Sequence, residues 1–473
     1  MDEPSRPSSV SRRQFLKTGV ASASVASFGA INFFPRRVFG ANDRVRVAIC
    51  GLHGRGMDHI RSYAKVPQAE IAALCDIDEN VLRERLADVE KMGIPKPVTY
   101  VDVRKLLDDK SIDAVSIATP DSWHTLIAIW ACQAGKDVYV EKPCSHNIWE
   151  TKQLVRAAQR YNRIVQHGTQ SRSSPAVRDA INRVQEGVVG DLYLSRGLCY
   201  KWRNTIGYAP VAQVPTGVHY DLWQGPAPKH AFTHNRFHYN WHWFWWYGSG
   251  DLGNQGIHQL DIARWGLGVG YPNRATATGG HFMFKDDQET PNTLNCAFEF
   301  DLPDGSRKML EFEVRHWITN HEAEIGAGNL PRHVVARPKT GANAGYNNTV
   351  GNIFYGSKGY LAYPVGKPAG YKTWIGESQE PGPEGHEAGT EVLHFANFID
   401  CVISRKKEDL HAPPEVAAAS VTLIYLANAS YRLGRTINFN PETQEVVDDQ
   451  DADMLVQDAD RGYRSPFIVP RNV

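Results

Sequence analysis

The feature that most constrains the fold is a buried strand that leads directly into a glycine-rich turn and then a helix. Val45–Cys50 is a nearly continuous apolar run, as expected of a parallel strand that is covered on both faces. The turn that follows contains Gly51, Gly54 and Gly56, and a helical pattern continues through Tyr63. Strand, turn and helix in this order predict a βα unit that holds a dinucleotide, with its pyrophosphate on the helix N-terminus.

The turn departs from the usual G-x-G-x-x-G pattern at one position. Aligned on that pattern, the first and third glycines are Gly51 and Gly56, and His53 occupies the middle position. Two alternatives follow: the Cβ of His53 displaces the pyrophosphate outward, or Gly54 takes over the role of the middle glycine. The residues of the turn predicted to contact the cofactor are Gly51, His53, Gly54, Arg55 and Gly56.

An acidic residue at the end of the second predicted strand indicates the type of nucleotide. Ile71 to Cys75 reads as a strand and is followed by Asp76. A carboxylate at this distance from the first glycine accepts hydrogen bonds from a ribose diol and repels a 2′-phosphate, which favours NAD over NADP. The alternative is that Asp76 only caps the next helix.

Alternation of strands and helices continues beyond this unit. Strands are predicted at 114–118, 137–140 and 164–166, each separated by helical segments, and this alternation is typical of a parallel, doubly wound sheet. Ligands bind beyond the carboxyl ends of such strands, where Thr119, Pro120 and Lys142 fall. We expect an NAD-binding Rossmann domain at 42–168 and a substrate-binding α/β domain with a C-terminal helix and tail at 169–473.

Bulk properties exclude some functions and are consistent with two domains. A chain of 473 residues is too long for one ordinary core. Its 52 basic and 52 acidic side chains give no net charge that would attract nucleic acid, so we predict no nucleic-acid partner. The seven cysteines are scattered, several within apolar runs, which predicts buried free thiols.

The first 41 residues are predicted to be a targeting region. Ser11 to Lys17 (SRRQFLK) matches a twin-arginine export signal, and the apolar stretch 19–34 is short for a membrane-spanning helix. Both cleavage near 38–41 and retention as a membrane anchor stay open. The prediction is a periplasmic or otherwise exported protein that the twin-arginine machinery carries in folded form with its nucleotide already bound.

Several motifs together resemble one enzyme family. They are Ala48–Gly51 with its turn, Thr119-Pro120 with His124, Glu141-Lys142-Pro143, Gly253 to Asp261 (GNQGIHQLD), Phe354 to Gly359 (FYGSKG) and the helix around His394 to Asn397. Their combination resembles the glucose–fructose oxidoreductase and inositol dehydrogenase (Gfo/Idh/MocA) family over nearly the whole chain after the leader. The leader and the tail Tyr463 to Phe467 are similar to its exported bacterial branch.

The resemblance implies a fold and a chemistry. The fold is a Rossmann domain followed by an α/β domain with a large, mostly antiparallel sheet, through which homo-oligomers form. The chemistry is hydride transfer between a carbon of a sugar or polyol and the nicotinamide. The family lysine corresponds to Lys142, followed by a cis bond to Pro143, and the family histidine corresponds to His258.

One family residue is replaced. Asn254 stands where the family usually has an acid, and an amide can position a hydroxyl group but cannot accept its proton. The predicted catalytic residues are therefore Lys142, His258 and Asn254, with His258 as the proton acceptor. The remaining predicted cofactor contacts are Thr119, Pro120, His124, Glu141 and Lys142. The predicted contacts to a small carbohydrate substrate are Lys142, Arg172, Tyr200, Trp202, His242, Asn254 and His258.

An aromatic segment at 237–247 contains four tryptophans and is open to two interpretations. It forms either a stacking platform for sugars or ordinary core or subunit packing. His234, His238 and His242 recur every four residues, which on a helix would suggest zinc. Since no acid or cysteine has matching spacing, we predict no metal.

Two other functions remain as alternatives to a dehydrogenase. The first is an exported glycoside hydrolase or lyase that keeps NAD bound and oxidises its sugar only transiently, with no net release of NADH. The second is a sugar- or nucleotide-binding protein without catalytic activity, which the replacements at His53 and Asn254 would suit.

Overall fold

The computed structural model describes residues 43–317, 319–325, 348–365, 370–386 and 391–473. The predicted twin-arginine segment and the apolar stretch after it lie outside these residues. Within the described part of the chain no helix is long and apolar enough to cross a membrane. The seven cysteines are buried and unpaired, which confirms the expectation of free thiols.

The first sheet has six parallel strands in the order β3-β2-β1-β4-β5-β6, the order of a doubly wound nucleotide-binding sheet. Its strands β1, β2, β4 and β5 are almost completely buried, since helices cover both faces. The elements are β1 (Val45–Cys50), α1 (Gly54–Tyr63), β2 (Ala69–Cys75), α2 (Glu79–Lys91), β3 (Val98–Tyr100), α3 (Val103–Asp108), β4 (Ala114–Ile117), α4 (Asp121–Gln133), β5 (Asp137–Val140), α5 (Ile148–Arg160) and β6 (Val165–His167).

Among the described residues, the second sheet has ten strands in the order β14-β13-β12-β11-β7-β10-β9-β8-β15-β16. In this part of the chain only β7 and β10 pair in parallel, so the sheet is mostly antiparallel, and both predicted sheets are confirmed. The elements are α6 (Pro175–Gln185), β7 (Leu192–Lys201), α7 (Tyr220–Gln224), α8 (Ile257–Leu267), β8 (Arg274–Gly280), β9 (Thr293–Asp301), β10 (Arg307–His316), β11 (Thr349–Gly356), β12 (Gly359–Pro364), β13 (Lys372–Ile375), β14 (Glu380–Pro381), α9 (Val392–Ser404), α10 (Pro414–Leu433), β15 (Ile437–Asn440), β16 (Glu445–Val446) and α11 (Gln450–Gln457).

Helix α9 returns from the second half of the chain to the first sheet. Phe395 is fully buried and stacks on Tyr139 of β5, with ring centroids 4.6 Å apart. It also meets Tyr63 of α1 edge-on at 4.9 Å. The long helix α10 contacts both α5 and β8. Late segments of the chain therefore complete the core of the nucleotide-binding sheet.

Candidate functional site

The turn between β1 and α1 is shaped by two glycines that cannot be replaced without a clash. Gly51 has φ +81°, and a Cβ there would lie 2.6 Å from the carbonyl oxygen of Ala118. A Cβ on Gly56 would lie 1.9 Å from the carbonyl oxygen of Gly51. The turn is therefore pressed tightly between β4 and its own helix, and α1 begins at Gly54 without a side-chain cap. Its first N–H groups are available to an anion.

A cavity of about 300 Å³ opens in front of this turn. It lies beyond the carboxyl ends of β1, β2, β4 and β5, where ligands of doubly wound sheets bind. Its wall includes Gly51, His53, Gly54, Arg55, Asp76, Thr119, Pro120, Asp121, Trp123, His124, Glu141, Lys142, Trp223, His238, Tyr239, Trp241, His242 and Asn254. Most of the predicted cofactor contacts and three of the predicted substrate contacts thus share one cavity.

Two donors on the cavity wall have no partner of their own. The Nη2 atom of Arg55 and the hydroxyl group of Thr119 are buried and find no hydrogen-bond acceptor among the residues that the structure describes. Both are suited to phosphate or carboxamide oxygens. Together with the free N–H groups at Gly54 they fit the phosphates and nicotinamide of NAD, so the donor set of the site matches the cofactor that the turn predicts.

The direction of the His53 ring bears on the middle position of the turn. This ring stacks on that of His238, with centroids 4.8 Å apart and planes at 8°, while a Cβ on Gly54 would meet nothing within 4 Å. The geometry favours the alternative in which Gly54 supplies the open position. His238 Nε2 lies 2.9 Å from the carboxylate of Asp78, so the stack bridges the rim of the cavity.

Asp76 reaches the cavity at the end of β2. Its carboxylate accepts hydrogen bonds from the N–H groups of Leu52 at 2.7 Å and Asp78 at 2.9 Å. The cap of α2 is Asp78, which accepts from the N–H of Asn80, so Asp76 does not cap that helix. Burial raises the pKa of Asp76 to about 6.

This pKa leads to an expected pH dependence of NAD binding. A carboxylate accepts ribose hydroxyls better than a neutral carboxyl group does, so affinity should be constant above the pKa and fall below it. We expect the Kd of NADH to rise by up to about tenfold per pH unit below about pH 6. Calorimetric titration between about pH 5 and 8 measures this, and Asp76→Asn should remove the dependence. A constant Kd in the wild-type protein would contradict the assignment.

Lys142 contacts Asn254, which precedes His258 by four residues in the chain. The Nζ of Lys142 donates to the backbone carbonyl of Asn254 at 2.6 Å, and the predicted cis bond to Pro143 is confirmed. Asn254 lies in a π-helical turn, Leu252–Gly256, that continues into α8, and such turns are frequent at functional sites. Burial and the charge of Lys142 lower the pKa of His258 to about 3, so its imidazole is neutral and a weak base.

Glu141 joins the turn to the neighbouring loops. Its carboxylate accepts from Arg55 Nε and Gln170 Nε2, each at 2.8 Å, and lies 3.1 Å from His59 Nε2. Burial alone would raise the pKa of Glu141, but Arg55 and His59 outweigh it and hold the pKa well below its usual range. Arg55 also pairs with Glu391 at 2.7 Å. The two predicted cofactor contacts therefore hold each other in place.

His124 lines the cavity and fastens two of its loops. Its ring nitrogens lie 2.6 Å from the carbonyl oxygen of Pro143 and 2.8 Å from that of Thr119. Both nitrogens are thus engaged by backbone, and the residue sets the distance between the loops after β4 and β5.

The structure does not bring Arg172 to the cavity. Its guanidinium is buried, donates to Asp261 through Nε at 2.7 Å and Nη2 at 2.9 Å, and lies over the Trp265 ring. Arg172, which was predicted to contact the substrate, instead forms a buried ion pair with Asp261 of α8. Asp261 is held by Arg172 and by Ser420.

Tyr200 and Trp202 are also placed away from the cavity. Tyr200 is fully buried in β7, and its hydroxyl lies 2.7 Å from Glu313 and 3.0 Å from Glu322. Trp202 meets Trp317 edge-on at 6.0 Å and is not part of the cavity wall among the described residues. A strand pattern shows that side chains alternate, but not which face of the sheet meets the ligand.

His242 does line the cavity, and burial and the charge of Lys142 lower its pKa to about 3.

The aromatic segment divides between the two interpretations. Trp243 is buried in a cluster with Trp223 and Tyr247, whereas Trp241 faces the cavity. His234, His238 and His242 do not share a helix, because regular structure here is limited to one short 3₁₀ turn, Asn240–Trp243. Within the residues that the structure covers, no group of three or more ligands is arranged for a metal.

Asp121 and Tyr239 are among the residues of the cavity wall that were not predicted from the sequence. Asp121 begins α4, lines the cavity and accepts from the hydroxyl of Ser249 at 3.0 Å, and burial raises its pKa to about 7. Tyr239 presents its ring beside His242 at 4.8 Å. Asp121 directly follows Thr119-Pro120 and could have been found as a strand-end residue. Tyr239 had no such signal within the aromatic run.

Curated relatives match only part of the chain. A glycosyl hydrolase family 109 protein of Shewanella pealeana is 30% identical over 205 residues, which is 39% of this chain and 44% of that protein. Another from Shewanella sp. strain ANA-3 is 29% identical over 206 residues with the same coverage. The chain thus matches less than half the length of these relatives.

Solved structures share the fold at low identity. The WlbA dehydrogenase from Bordetella pertussis, in complex with NADH and UDP-GlcNAcA, is 18% identical with a TM-score of 0.59 and covers 84% of this chain and 99% of its own. Levoglucosan dehydrogenase, in complex with NADH and levoglucosan, is 17% identical with a TM-score of 0.60 and the same coverage. Aldose-aldose oxidoreductase from Caulobacter crescentus is 18% identical with a TM-score of 0.58 and covers 84% and 100%.

Two domain models of one family account for most of the chain. The model of its NAD-binding Rossmann fold matches residues 45–169, and the model of its C-terminal alpha/beta domain matches residues 177–272 and 359–466. The first agrees with the glycine turn and the donors around it, and NAD is the cofactor of this site. The chain belongs to the Gfo/Idh/MocA oxidoreductase family.

Proposed function

We propose that this protein transfers a hydride between NAD and the carbinol carbon of a sugar or polyol. The observation that carries the proposal is the position of Lys142. Its ammonium group stands at the end of β5, in the same cavity as the phosphate-binding turn, and donates at 2.6 Å to a backbone oxygen that a substrate oxygen could replace. A cation there stabilises the negative charge that develops on the reacting oxygen.

The residues around Lys142 supply the remaining requirements. When bound, NAD supplies the hydride acceptor. Lys142 orients the reacting hydroxyl group and later its carbonyl oxygen, and a base takes the hydroxyl proton, for which the sequence nominates His258. Trp241 and His242 form the part of the wall on which a sugar ring would stack.

A second candidate is redox-neutral cleavage of a glycoside. Here a sugar is oxidised, its glycosidic bond breaks by elimination, and the hydride then returns. The partial match to proteins named glycosyl hydrolase family 109 favours this candidate. So does the His53–His238 stack across the cavity rim, which suits a retained cofactor.

One experiment tests the proposal and separates the two candidates. Mass spectrometry of the purified protein should detect NAD or NADH. A panel of free aldohexoses, levoglucosan and p-nitrophenyl glycosides is then scored for both reduced cofactor and released sugar. Net NADH equal to sugar oxidised supports the dehydrogenase, and released aglycone without NADH supports cleavage. Protein that binds no nucleotide and acts on no member of the panel would contradict both.

Location and assembly are proposed from the sequence. We propose export of the folded protein through the twin-arginine route and homo-oligomers formed through the ten-stranded sheet. Cell fractionation and light scattering of the purified protein test these two statements. Recovery from the periplasm without bound nucleotide would contradict loading before export.

A further inference from the structure

Asn254 replaces the family acid and cannot take a proton, and a tyrosine lines the cavity together with it. Tyr239 lines the cavity together with Lys142 and Asn254. The side chain of Asn254 lies near enough to the Tyr239 hydroxyl to lower its pKa, while its backbone carbonyl receives Lys142 Nζ. Lys142 and the phenol therefore converge on the same residue. His258, in contrast, is not part of the described cavity wall.

A fixed cation faces the Tyr239 hydroxyl. Arg203 Nη1 lies 3.3 Å from this oxygen. Asp251 holds the same guanidinium through Nε at 2.7 Å and Nη2 at 2.9 Å, and the Trp243 ring lies under it at 4.9 Å. His316 Nε2 is 2.6 Å from the Asp251 carboxylate and completes the support. The guanidinium can therefore point only one of its nitrogens at the phenol.

The charges around Tyr239 favour its anion. Tyr239 is 44% exposed. Partial loss of water around the phenol would raise its pKa, and Asp251 raises it further, but Arg203 and Asn254 outweigh both and lower the pKa. The other ionisable groups facing the phenol come from β7, where Lys201 ends the strand, and from its own segment, where His238 and His242 flank it. Burial lowers the pKa of each of the three.

We propose that Tyr239 is the catalytic acid–base of the hydride transfer, and the proposal rests on the function proposed above. The hydroxyl O–H bond of the sugar breaks and its proton moves to the phenolate oxygen. The C–H electron pair of the same carbon leaves as hydride to NAD⁺, and the C=O bond forms. The return reaction takes the proton back from the phenol. Lys142 binds the reacting oxygen throughout.

The test combines a substrate-free titration with kinetics. Tyr239→Phe keeps the ring and its contact with His242 but removes the hydroxyl. The near-ultraviolet absorbance of phenolate is titrated in wild type, Tyr239→Phe and Tyr193→Phe, a matched control that removes an exposed phenol on β7. We expect a rise in phenolate absorbance at a pH below the ordinary tyrosine pKa of about 10. Of the two variants, only Tyr239→Phe should remove this step. Arg203→Gln should move this step to higher pH.

The kinetic arm uses the panel substrate on which the wild type turns over. Tyr239→Phe should lower kcat by about 100-fold or more with little change in KM, and it should remove the matching limb of the pH profile. An early step that persists in Tyr239→Phe, or a full kcat in that variant, would overturn the proposal. Failure of the proposed function is distinguishable, because Lys142→Ala would then keep the wild-type rate. The absorbance titration needs no substrate and tests the ionisation of Tyr239 independently.

Discussion

Lys142→Ala is expected to lower kcat/KM for the reacting sugar by at least about 1,000-fold. The variant removes the only side-chain cation placed next to Asn254 by a direct hydrogen bond within the described residues. The fold should be kept, because Lys142 is half-buried at a cavity and not part of a core cluster. Stopped-flow reduction of bound NAD gives the rate, and circular dichroism with nucleotide content shows that the protein is intact.

Two further variants make the Lys142 result specific. Lys65→Ala removes an exposed lysine from the same half of the chain and should leave the rate unchanged. Lys142→Arg keeps the charge but carries a larger, planar group and should not restore activity. Hydride transfer at wild-type rate in Lys142→Ala would refute the assignment of this lysine.

Gly56→Ala is expected to destabilise the protein by about 3 kcal/mol or more and to abolish NAD binding. The added Cβ would lie 1.9 Å from the carbonyl oxygen of Gly51, which is backbone and cannot rotate away. Strand β1 and helix α1 must then separate, and the turn that holds the pyrophosphate opens. Denaturant unfolding measures the stability, and equilibrium dialysis measures the bound nucleotide.

Gly54→Ala is the matched control for this effect. A Cβ on Gly54 meets no protein atom within 4 Å, so stability should stay within about 0.5 kcal/mol of wild type. The methyl group instead enters the cavity, and the Kd of NADH should rise by about tenfold. Equal destabilisation by the two variants would show that the close contact at Gly56 is not what holds the turn.

The nucleotide-binding half could be read from the sequence because its signals are local. Strands β1, β2, β4 and β5 are short, mostly apolar runs, and the residues after them are neighbours in space because parallel strands end at one edge. The exposed strand β3 carried no such signal. That rule alone placed Gly54, Asp76, Thr119 and Lys142 around one cavity. The same rule covers Asp121, which was overlooked.

The second half was harder because its contacts join distant segments. The sequence predicted Arg172 as a substrate contact, and no nearby residue indicated that Asp261 would accept from two of its nitrogens. Tyr239 lies in a run of aromatic residues, and only the fold separates Trp243, in the core, from Trp241, on the cavity. Long-range pairing of this kind leaves no periodic signal in the chain.

The return of α9 to the first sheet bears on how the protein is made. Tyr63 and Tyr139 obtain their cover from Phe395, and Arg55 obtains one of its two carboxylates from Glu391. During synthesis, more than 200 residues after β6 must therefore emerge before the core of the nucleotide-binding sheet is complete. A fragment cut after β6 would expose these rings to water, so the two halves are interdependent units that cannot be exchanged like separate modules.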